Sequence, residues 1–300
     1  MKLTPTPTTS PLIKAFFLGL SGEGKSGSTV PLSIAGPIKG CTVPGPGLEL
    51  LVLDYDGKYA EVAYAVLDDL KSKGKISNEQ RDSALARIDV TVCRENTGLV
   101  RVQARGARTA EEKIGIRGSS TAWKTGVKQL EKWQKEFGPN TVLIIDSLTH
   151  AAKAAVNYSM EMNGRLNQEM IWTDYSDPQQ RIASLMTGMA DFKTNAIVCA
   201  HQDPVDLYKK TGKLDDQGKP EEELVDSIMA PISIGRAGRI NLPSEFNHML
   251  VAASEGMGSA VNRYIHTRPI RGVIAKSPFF NAKPRYPIAT GWCEYFGLRN

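Results

Sequence analysis

The stretch GLSGEGKS, from Gly19 to Ser26, constrains this chain more than any other part of its sequence. It satisfies the spacing G-x-x-x-x-G-K-[ST], and a continuous apolar run at residues 13–19, typical of a buried strand, leads into it. Glycines at this spacing let successive backbone N–H groups converge on an anion, and the start of a following helix adds its dipole. The sequence therefore predicts a phosphate-holding loop between a first strand and a first helix.

The chemistry of the loop assigns roles to its residues. Lys25 would reach the β- and γ-phosphates of a nucleotide, and the Ser26 hydroxyl would bind Mg²⁺. A carboxylate of the Mg²⁺ shell is expected where a buried strand ends, and the run TVLIID ends with Asp146. The alternatives are a chance match in a glycine-rich turn and a turn-forming aspartate. The predicted nucleotide-binding residues are Gly19, Gly22, Glu23, Gly24, Lys25, Ser26 and Gly27.

Short apolar runs alternate with helical patterns along most of the chain, which predicts an α/β fold with a parallel sheet. The predicted strands cover 13–19, 48–54, 89–93, 141–146 and 195–200, and FNHMLVAA, VNRYIHT and GVIAK predict three closing strands. Helices are predicted at 24–35, shortened or kinked by Pro31, and at 59–73, from Ser77 with a capping box, from Ser120 to 137, and at 178–192. Residues 97–118 and 203–239 are predicted to be irregular, and 150–177 a polar loop.

Hydrolysis would need a group that orients or deprotonates water. The run LELLVLDYDG ends with Asp54 and Asp56, which strand alternation would place on the same side. Glu95 follows the third predicted strand and is a second candidate for the base. Solvated strand ends are the alternative interpretation of all three carboxylates.

Composition restricts the class of protein more than its partners. The 300 residues are 41% hydrophobic with a net charge of +5, which fits a globular chain and permits a polyanionic partner without requiring one. The four cysteines form no C-x-x-C pair, and no run is long enough for a signal peptide or a membrane span. We expect a cytoplasmic protein with a flexible arm at 1–11, a core at 12–280 and a C-terminal extension at 281–300.

Several of these runs together resemble the RecA-like recombination ATPases. GLSGEGKS matches their Walker A motif, LIIDSLT is similar to their Walker B motif, and VCAHQD is similar to their γ-phosphate sensor strand. VLDYDG resembles the strand end that carries Asp-x-Glu-Gly in recombinases, with Asp56 in place of the glutamate. The late pattern FNHMLVAAS…RYIHTRP…VIAKSPF is similar to phage-encoded, RecA-core ATPases of the single-strand-annealing class.

This resemblance implies a RecA-like P-loop NTPase core, with a mostly parallel sheet and antiparallel strands toward the C-terminal end. It implies a DNA-stimulated ATPase that uses ATP and Mg²⁺, assembles as a homo-oligomeric ring or filament, and acts on single-stranded DNA in the host cytoplasm. A single-strand-binding protein is an implied partner. Gln202 would sense the γ-phosphate, and Lys276 would enter a neighbouring subunit's site. The loops at 150–177 and 203–239 would line the DNA path, the second with Lys209, Lys210, Lys213, Arg236 and Arg239.

Two other function classes remain open at the sequence level. A nucleotide-gated protein could bind single-stranded DNA with negligible hydrolysis, which the aspartate at position 56 favours. Another P-loop enzyme, such as a small-molecule kinase, helicase or packaging motor, would share the loop. A GTPase would carry N-K-x-D for guanine, and the chain contains no such run.

Overall fold

The structure is a computed structural model that describes residues 11–95, 98–103, 112–117, 120–166, 168, 170–214, 220–233, 242–256, 261–270 and 272–299. The strands are β1 (Lys14–Gly19), β2 (Ala35–Gly36), β3 (Gly45–Pro46), β4 (Glu49–Asp54), β5 (Ile88–Val92), β6 (Gly98–Gln103), β7 (Glu112–Arg117), β8 (Thr141–Asp146), β9 (Asn195–Leu214), β10 (Pro220–Pro231), β11 (His248–Glu255), β12 (Asn262–His266) and β13 (Arg285–Pro287). The helices are α1 (Lys25–Thr29), α2 (Tyr59–Ser72), α3 (Asn78–Ala86), α4 (Thr121–Trp133), α5 (Leu148–Met162), α6 (Ser176–Asp191) and α7 (Gly291–Gly297).

One sheet organises the described part of the chain, in the order β13-β12-β11-β1-β9-β8-β4-β5. The strands from β11 to β5 run parallel to their neighbours, whereas β12 and β13 are antiparallel and continue the sheet beyond β11. β9 separates the loop-bearing strand β1 from β8, which ends at Asp146. The predicted α/β class, with a mostly parallel sheet and antiparallel strands toward the C-terminal end, is confirmed.

The parallel strands are apolar on both faces because helices cover both sides of the sheet. Phe16 and Leu18 of β1 belong to the core under α4, α5 and α6. Ala15 and Phe17 point to the other face and pack in the core under α1, α2, α3 and α7. This alternation with a period of two explains why the strand appears in the sequence as an unbroken apolar run.

Two local predictions are confirmed at helix ends. The helix after the phosphate loop is short, because α1 ends at Thr29 and a 3₁₀ turn from Val30 to Ser33 takes in Pro31. The capping box of α3 is present, with Ser77 Oγ accepting from the Gln80 N–H at 3.2 Å and Gln80 Oε1 accepting from the Ser77 N–H at 3.0 Å. Ser120, in contrast, lies at the N-cap of α4 without capping it, and its hydroxyl donates to Glu161 instead.

The predicted loop at 150–177 is wrong over its first part, since α5 runs from Leu148 to Met162. Its alanines, which are good helix formers and small enough to bring a helix close to the sheet, were a usable signal. Ala151, Ala152, Ala154 and Ala155 are all buried.

Three further element predictions are wrong. Residues 203–239 are not irregular throughout, because β9 continues to Leu214 and β10 pairs back along it as an antiparallel ribbon. β6 and β7 form a hairpin within the region 97–118. GVIAK forms no strand, and Val273 and Lys276 make only isolated bridges. The ribbon of β9 and β10 is rich in Lys, Asp and Glu, so apolar alternation is weak there, whereas VRV in β6 and KIGIR in β7 do alternate and were a usable signal for strands.

The stretch predicted as a C-terminal extension packs against the start of the chain. The Trp292 ring of α7 contacts Phe17 edge to face, with centroids 5.1 Å apart, and its Nε1 donates to Ser28 Oγ at 3.2 Å. Trp292, Tyr295 and Phe296 are all buried in the core below α1. The helix that follows the phosphate loop is therefore supported by the last helix of the chain.

Candidate functional site

The carboxyl ends of four parallel strands meet at one edge of the sheet. Gly19 of β1 is in register with His201 of β9, and Asp54 of β4 is in register with Asp146 of β8. Asp146 is also in register with Cys199 of β9. Because neighbouring strands lie about 4.8 Å apart, this edge gathers residues that are distant in sequence into one crevice.

The backbone of the loop requires its glycines. Gly22 and Gly24 have φ values of 82° and 83°, in the left-handed region that only glycine adopts at no steric cost. A Cβ on Gly19 would stand 2.8 Å from the Ala252 carbonyl oxygen of β11, so a larger residue would force the two strands apart. A Cβ on Gly27 would meet Val66 of α2 at 3.2 Å.

Lys25 is held inside the loop, 6% exposed. Its Nζ donates to the carbonyls of Gly19 and Leu20, both at 2.8 Å. Burial lowers the pKa of Lys25, and the nearby Asp146 carboxylate opposes that shift. A buried cation held inside a glycine-rich loop suits a polyphosphate.

Glu23 of the same loop is buried and turned toward β11. Its Oε1 accepts from Ser254 Oγ at 2.9 Å, and its Oε2 has no hydrogen-bond partner among the described residues. Arg263 of β12, which the sequence did not suggest, lies beside the loop. Its Cδ is 3.7 Å from the position that a Cβ on Gly24 would take.

Asp146 and Ser26 together fit a divalent cation. Burial of Asp146 raises its carboxyl pKa to about 6, while a hydrogen bond with Ser26 and the Lys25 charge lower it. The neighbouring Asp54 and Asp56 carboxylates raise it further. A buried acidic group crowded by two others is what a cation would stabilise, and Mg²⁺ takes one or two protein oxygens with phosphate and water as the rest. The peptide between Asp146 and Ser147 is cis.

Asp54 and Asp56, at and just beyond the end of β4, have different environments. The strand ends at Asp54, so alternation does not extend to Asp56. Asp54 is 1% exposed, and its two oxygens accept from the backbone N–H groups of Gly57 at 2.7 Å and Tyr59 at 2.8 Å. Asp54 therefore holds the turn that follows the strand, and Asp56 is the carboxylate that the turn presents.

Asp56 faces His150 of α5, which the sequence prediction missed. The distance from Asp56 Oδ1 to His150 Nε2 is 3.6 Å, and His150 Nδ1 is 3.0 Å from Ser147 Oγ. The ring of His150 also contacts His201 of β9 edge to face, with centroids 6.2 Å apart. The sequence indicated His150 only by its position, about one helical turn after Asp146 at the end of β8.

Glu95 lines a cavity of about 310 Å³ together with Asp56 and His150. Its Oε2 accepts from Asn157 of α5, and its Oε1 is buried with no partner among the described residues. Burial raises the pKa of Glu95 to about 7. Both predicted candidates for the base therefore reach the same cavity at the same sheet edge.

Gln202 comes directly after His201 where the β9–β10 ribbon begins, and it pairs with Pro231 of β10. Its Oε1 is buried and unpartnered in the described part of the chain. Thr149 of α5 connects this region to the carboxyl end of β8, since its Oγ1 accepts from the His201 N–H at 3.2 Å and donates to the Ile232 carbonyl at 3.3 Å.

Lys276 does not approach the phosphate loop of its own chain. Its backbone pairs with Met249, which is in register with Phe16, three residues before Gly19 on β1. Its side chain is exposed. Contact of Lys276 with a nucleotide would therefore require the site of another subunit.

The predicted DNA-binding lysines lie on the ribbon, where the backbone register is described. Lys209 is opposite Glu223 and Lys210 is opposite Glu222. Lys213 lies near the end of β9, and Arg236 and Arg239 lie outside the described residues. The strand β9 continues 13 residues beyond His201, about 40 Å at 3.3 Å per residue.

The described ranges contain neither a membrane-spanning helix nor a metal-binding cluster of side chains. No helix there is both long and apolar enough to cross a membrane. No group of three or more His, Cys, Asp or Glu side chains there could hold a metal ion without other ligands.

Comparison with known proteins gives similarities of structure only. No protein-family model and no curated relative matches the chain. A KaiC-like protein from the hyperthermophilic archaeon Pyrococcus horikoshii OT3 matches 92% of this chain and 84% of its own, with 13% identity and a TM-score of 0.39. The RadB recombinase matches 93% of this chain and 88% of its own, with 12% identity and a TM-score of 0.43. Identity and TM-score are both low, so neither similarity carries a functional argument.

Proposed function

We propose that this chain binds and hydrolyses ATP with Mg²⁺ and acts on single-stranded DNA in recombination, by annealing or strand exchange. The observation that carries the proposal is the sheet edge at which buried Lys25 and buried Asp146 meet beside the glycine loop. A buried cation and a buried carboxylate, next to a glycine-rich loop, match a nucleotide polyphosphate and its metal.

Each residue has a distinct part in the proposed reaction. Lys25 and the loop N–H groups would bind the phosphates, and Ser26 and Asp146 would hold Mg²⁺, which would supply positive charge to the phosphate oxygens. Asp56 orients the attacking water and accepts its proton, with Glu95 as the second candidate. Gln202 connects the γ-phosphate to the ribbon, and Lys276 contributes a cation to a neighbouring subunit.

Hydrolysis is tested by measuring ATP turnover with and without single-stranded DNA at low salt. Lys25→Ala should abolish turnover and weaken binding of a fluorescent ATP analogue. Lys39→Ala removes the same charge from an exposed position and should change neither quantity. Turnover that persists unchanged in Lys25→Ala would refute the assignment of the loop.

The β9–β10 ribbon supports the DNA part of the proposal because it projects from the nucleotide edge. Each phosphate contact with single-stranded DNA contributes about 0.7 to the salt slope of log K. Replacing both Lys209 and Lys210 with alanine should therefore reduce that slope by up to about 1.4, whereas Lys39→Ala with Lys71→Ala should leave it unchanged. An unchanged slope in the ribbon variant would indicate that the two lysines interact with Glu222 and Glu223, which lie opposite them, and not with DNA phosphates.

A second candidate function is nucleotide-gated binding of single-stranded DNA with negligible hydrolysis, favoured by the short side chain of Asp56. The two candidates differ in one experiment: if annealing of complementary oligonucleotides by the wild type proceeds equally with ATP and with a non-hydrolysable ATP analogue, hydrolysis is not required. A helicase or packaging motor would instead show ATP-dependent unwinding or translocation. The proposal extends to a homo-oligomer, a single-strand-binding partner and a phage protein of the host cytoplasm.

A further inference from the structure

A chain of three polar side chains runs along the nucleotide edge, from Ser147 through His150 to Asp56. α5 begins at Leu148, directly after the Asp146 strand, so His150 lies in its first turn. Its ring has one nitrogen facing each of the other two residues, Nδ1 at 3.0 Å from Ser147 Oγ and Nε2 at 3.6 Å from Asp56 Oδ1. The ring is thus held between a hydroxyl and a carboxylate from two different elements.

The two partners determine the tautomer of the imidazole. Carboxylate oxygens accept hydrogen bonds, so this arrangement favours the tautomer with the proton on the nitrogen that faces Asp56. The other nitrogen then accepts from the Ser147 hydroxyl. Burial lowers the pKa of His150, which favours the neutral ring, and the Asp56 charge opposes this shift.

Asp56 needs a second group to hold it. Its side chain is one carbon shorter than glutamate, it lies in the bend beyond the end of β4, and it is 35% exposed. Both oxygens of Asp54 are bound by backbone N–H groups, whereas the Asp56 carboxylate faces the imidazole of His150. The 3.6 Å separation is longer than a hydrogen bond, and catalytic contacts that are long in the free protein tighten when substrate binds.

The geometry points to His150 as a positioning residue that holds the Asp56 carboxylate toward the attacking water through its Nε2–H. This inference rests on the proposed ATP hydrolysis. In that step the water oxygen bonds to the γ-phosphorus, the bond from that phosphorus to the ADP oxygen breaks, and the water proton passes to Asp56. His150 keeps its own proton throughout, and Ser147 fixes the plane of its ring.

The kinetic test compares His150→Ala with His150→Gln, because a glutamine amide N–H can replace the Nε2–H donor. We expect His150→Ala to lower kcat by about 30- to 100-fold while the affinity for a fluorescent ATP analogue changes less than about two-fold. His150→Gln should recover kcat to within about five-fold of the wild type. His248 lies at the amino end of the parallel strand β11, away from the site, so His248→Gln should leave kcat unchanged.

A double-mutant comparison separates positioning from a general effect on folding. If His150 acts through Asp56, His150→Ala should cause no further loss of kcat in an Asp56→Ala background. A further loss of ten-fold or more would overturn the inference. If the wild type hydrolyses ATP and His150→Ala does so equally well, the role of His150 is overturned but the proposed hydrolysis stands. If the wild type does not hydrolyse ATP, the proposed function and the role of His150 are both refuted.

A measurement on the nucleotide-free protein needs neither metal nor turnover. Two-dimensional ¹⁵N–¹H spectra of the histidine rings distinguish the two neutral tautomers, and His150→Gln identifies the signal. We expect the proton of His150 on Nε2 in the wild type and a mixture of tautomers in Asp56→Ala. A proton on Nδ1 in the wild type would overturn the inference.

Discussion

A single added methyl group at Gly126 should disturb the candidate site from outside it. Gly126 lies in α4, and a Cβ there would stand 2.1 Å from the hydroxyl oxygen of Tyr55 and 3.0 Å from its ring Cζ. Tyr55 is 5% exposed and lies between Asp54 and Asp56 in the chain. Ordinary contact begins near 3.4 Å, so the ring or the helix must move by about 1.3 Å.

Two opposing effects set the magnitude for Gly126→Ala. Alanine favours a helix over glycine by about 1 kcal/mol, whereas overpacking a core costs about 1 to 3 kcal/mol, and the 2.1 Å approach to Tyr55 puts this site in the upper half of that range. We expect a net loss of about 1 to 2 kcal/mol in the free energy of unfolding, measured in urea. Because the displaced ring carries Asp56 with it, kcat for ATP should fall more than nucleotide affinity.

A matched control and a double variant make this prediction refutable. Gly188 of α6 is also inside a helix, and a Cβ there would meet Phe192 at an ordinary 3.6 Å, so Gly188→Ala should stabilise by about 0.5 to 1 kcal/mol. In a Tyr55→Phe background the closest clash is removed, and Gly126→Ala should cost less than about 0.5 kcal/mol. Gly126→Ala that is as stable as the wild type, or equally damaging in both backgrounds, would refute the reasoning.

Three other outcomes are expected. Asp54→Asn leaves an amide facing one of the two N–H groups that the carboxylate binds, so unfolding should be easier by about 1 to 3 kcal/mol in urea, with kcat reduced as the Asp56 turn loosens. Burial lowers the pKa of His248 to about 4, with the Lys276 charge contributing, so the unfolded chain binds the proton more readily than the folded one. The free energy of unfolding in urea should therefore fall by up to about 3 kcal/mol as the pH drops from 6.5 to 4. His248→Gln should make the free energy of unfolding less dependent on pH in that range. Trp292→Ala removes the contact with Phe17 and the bond to Ser28 and should cost about 3 to 5 kcal/mol in thermal or urea unfolding, whereas Trp292→Phe should cost less.

Features encoded by adjacent residues could be predicted from the sequence. The apolar runs predict β1, β4 and β8 closely, and Ser77 and Gln80 predict the start of α3, because each depends on neighbours within one element. The sequence also predicts that Asp146 faces the phosphate loop, since parallel strands end at a common edge. α5 was missed because its polar and methionine-rich end obscured a run of good helix formers.

What could not be predicted depends on register between distant elements. Nothing near Asp54 in the chain distinguishes it from Asp56, and only the folded turn shows that one binds backbone N–H groups while the other faces His150. The pairing of Lys209 and Lys210 with glutamates likewise follows from the ribbon register, which is not local. A one-residue slip would exchange the faces of every side chain in that ribbon.

The glycine loop that we propose as the phosphate site is supported from three sides. The Ala252 backbone approaches Gly19, Val66 of α2 packs against Gly27, and Trp292 of α7 bonds to the Ser28 hydroxyl. Ordering a flexible loop would otherwise subtract from the affinity, so a preformed loop makes more of the contact energy available to the phosphates. Substitutions at these supporting positions should therefore weaken nucleotide binding without removing any group that touches it.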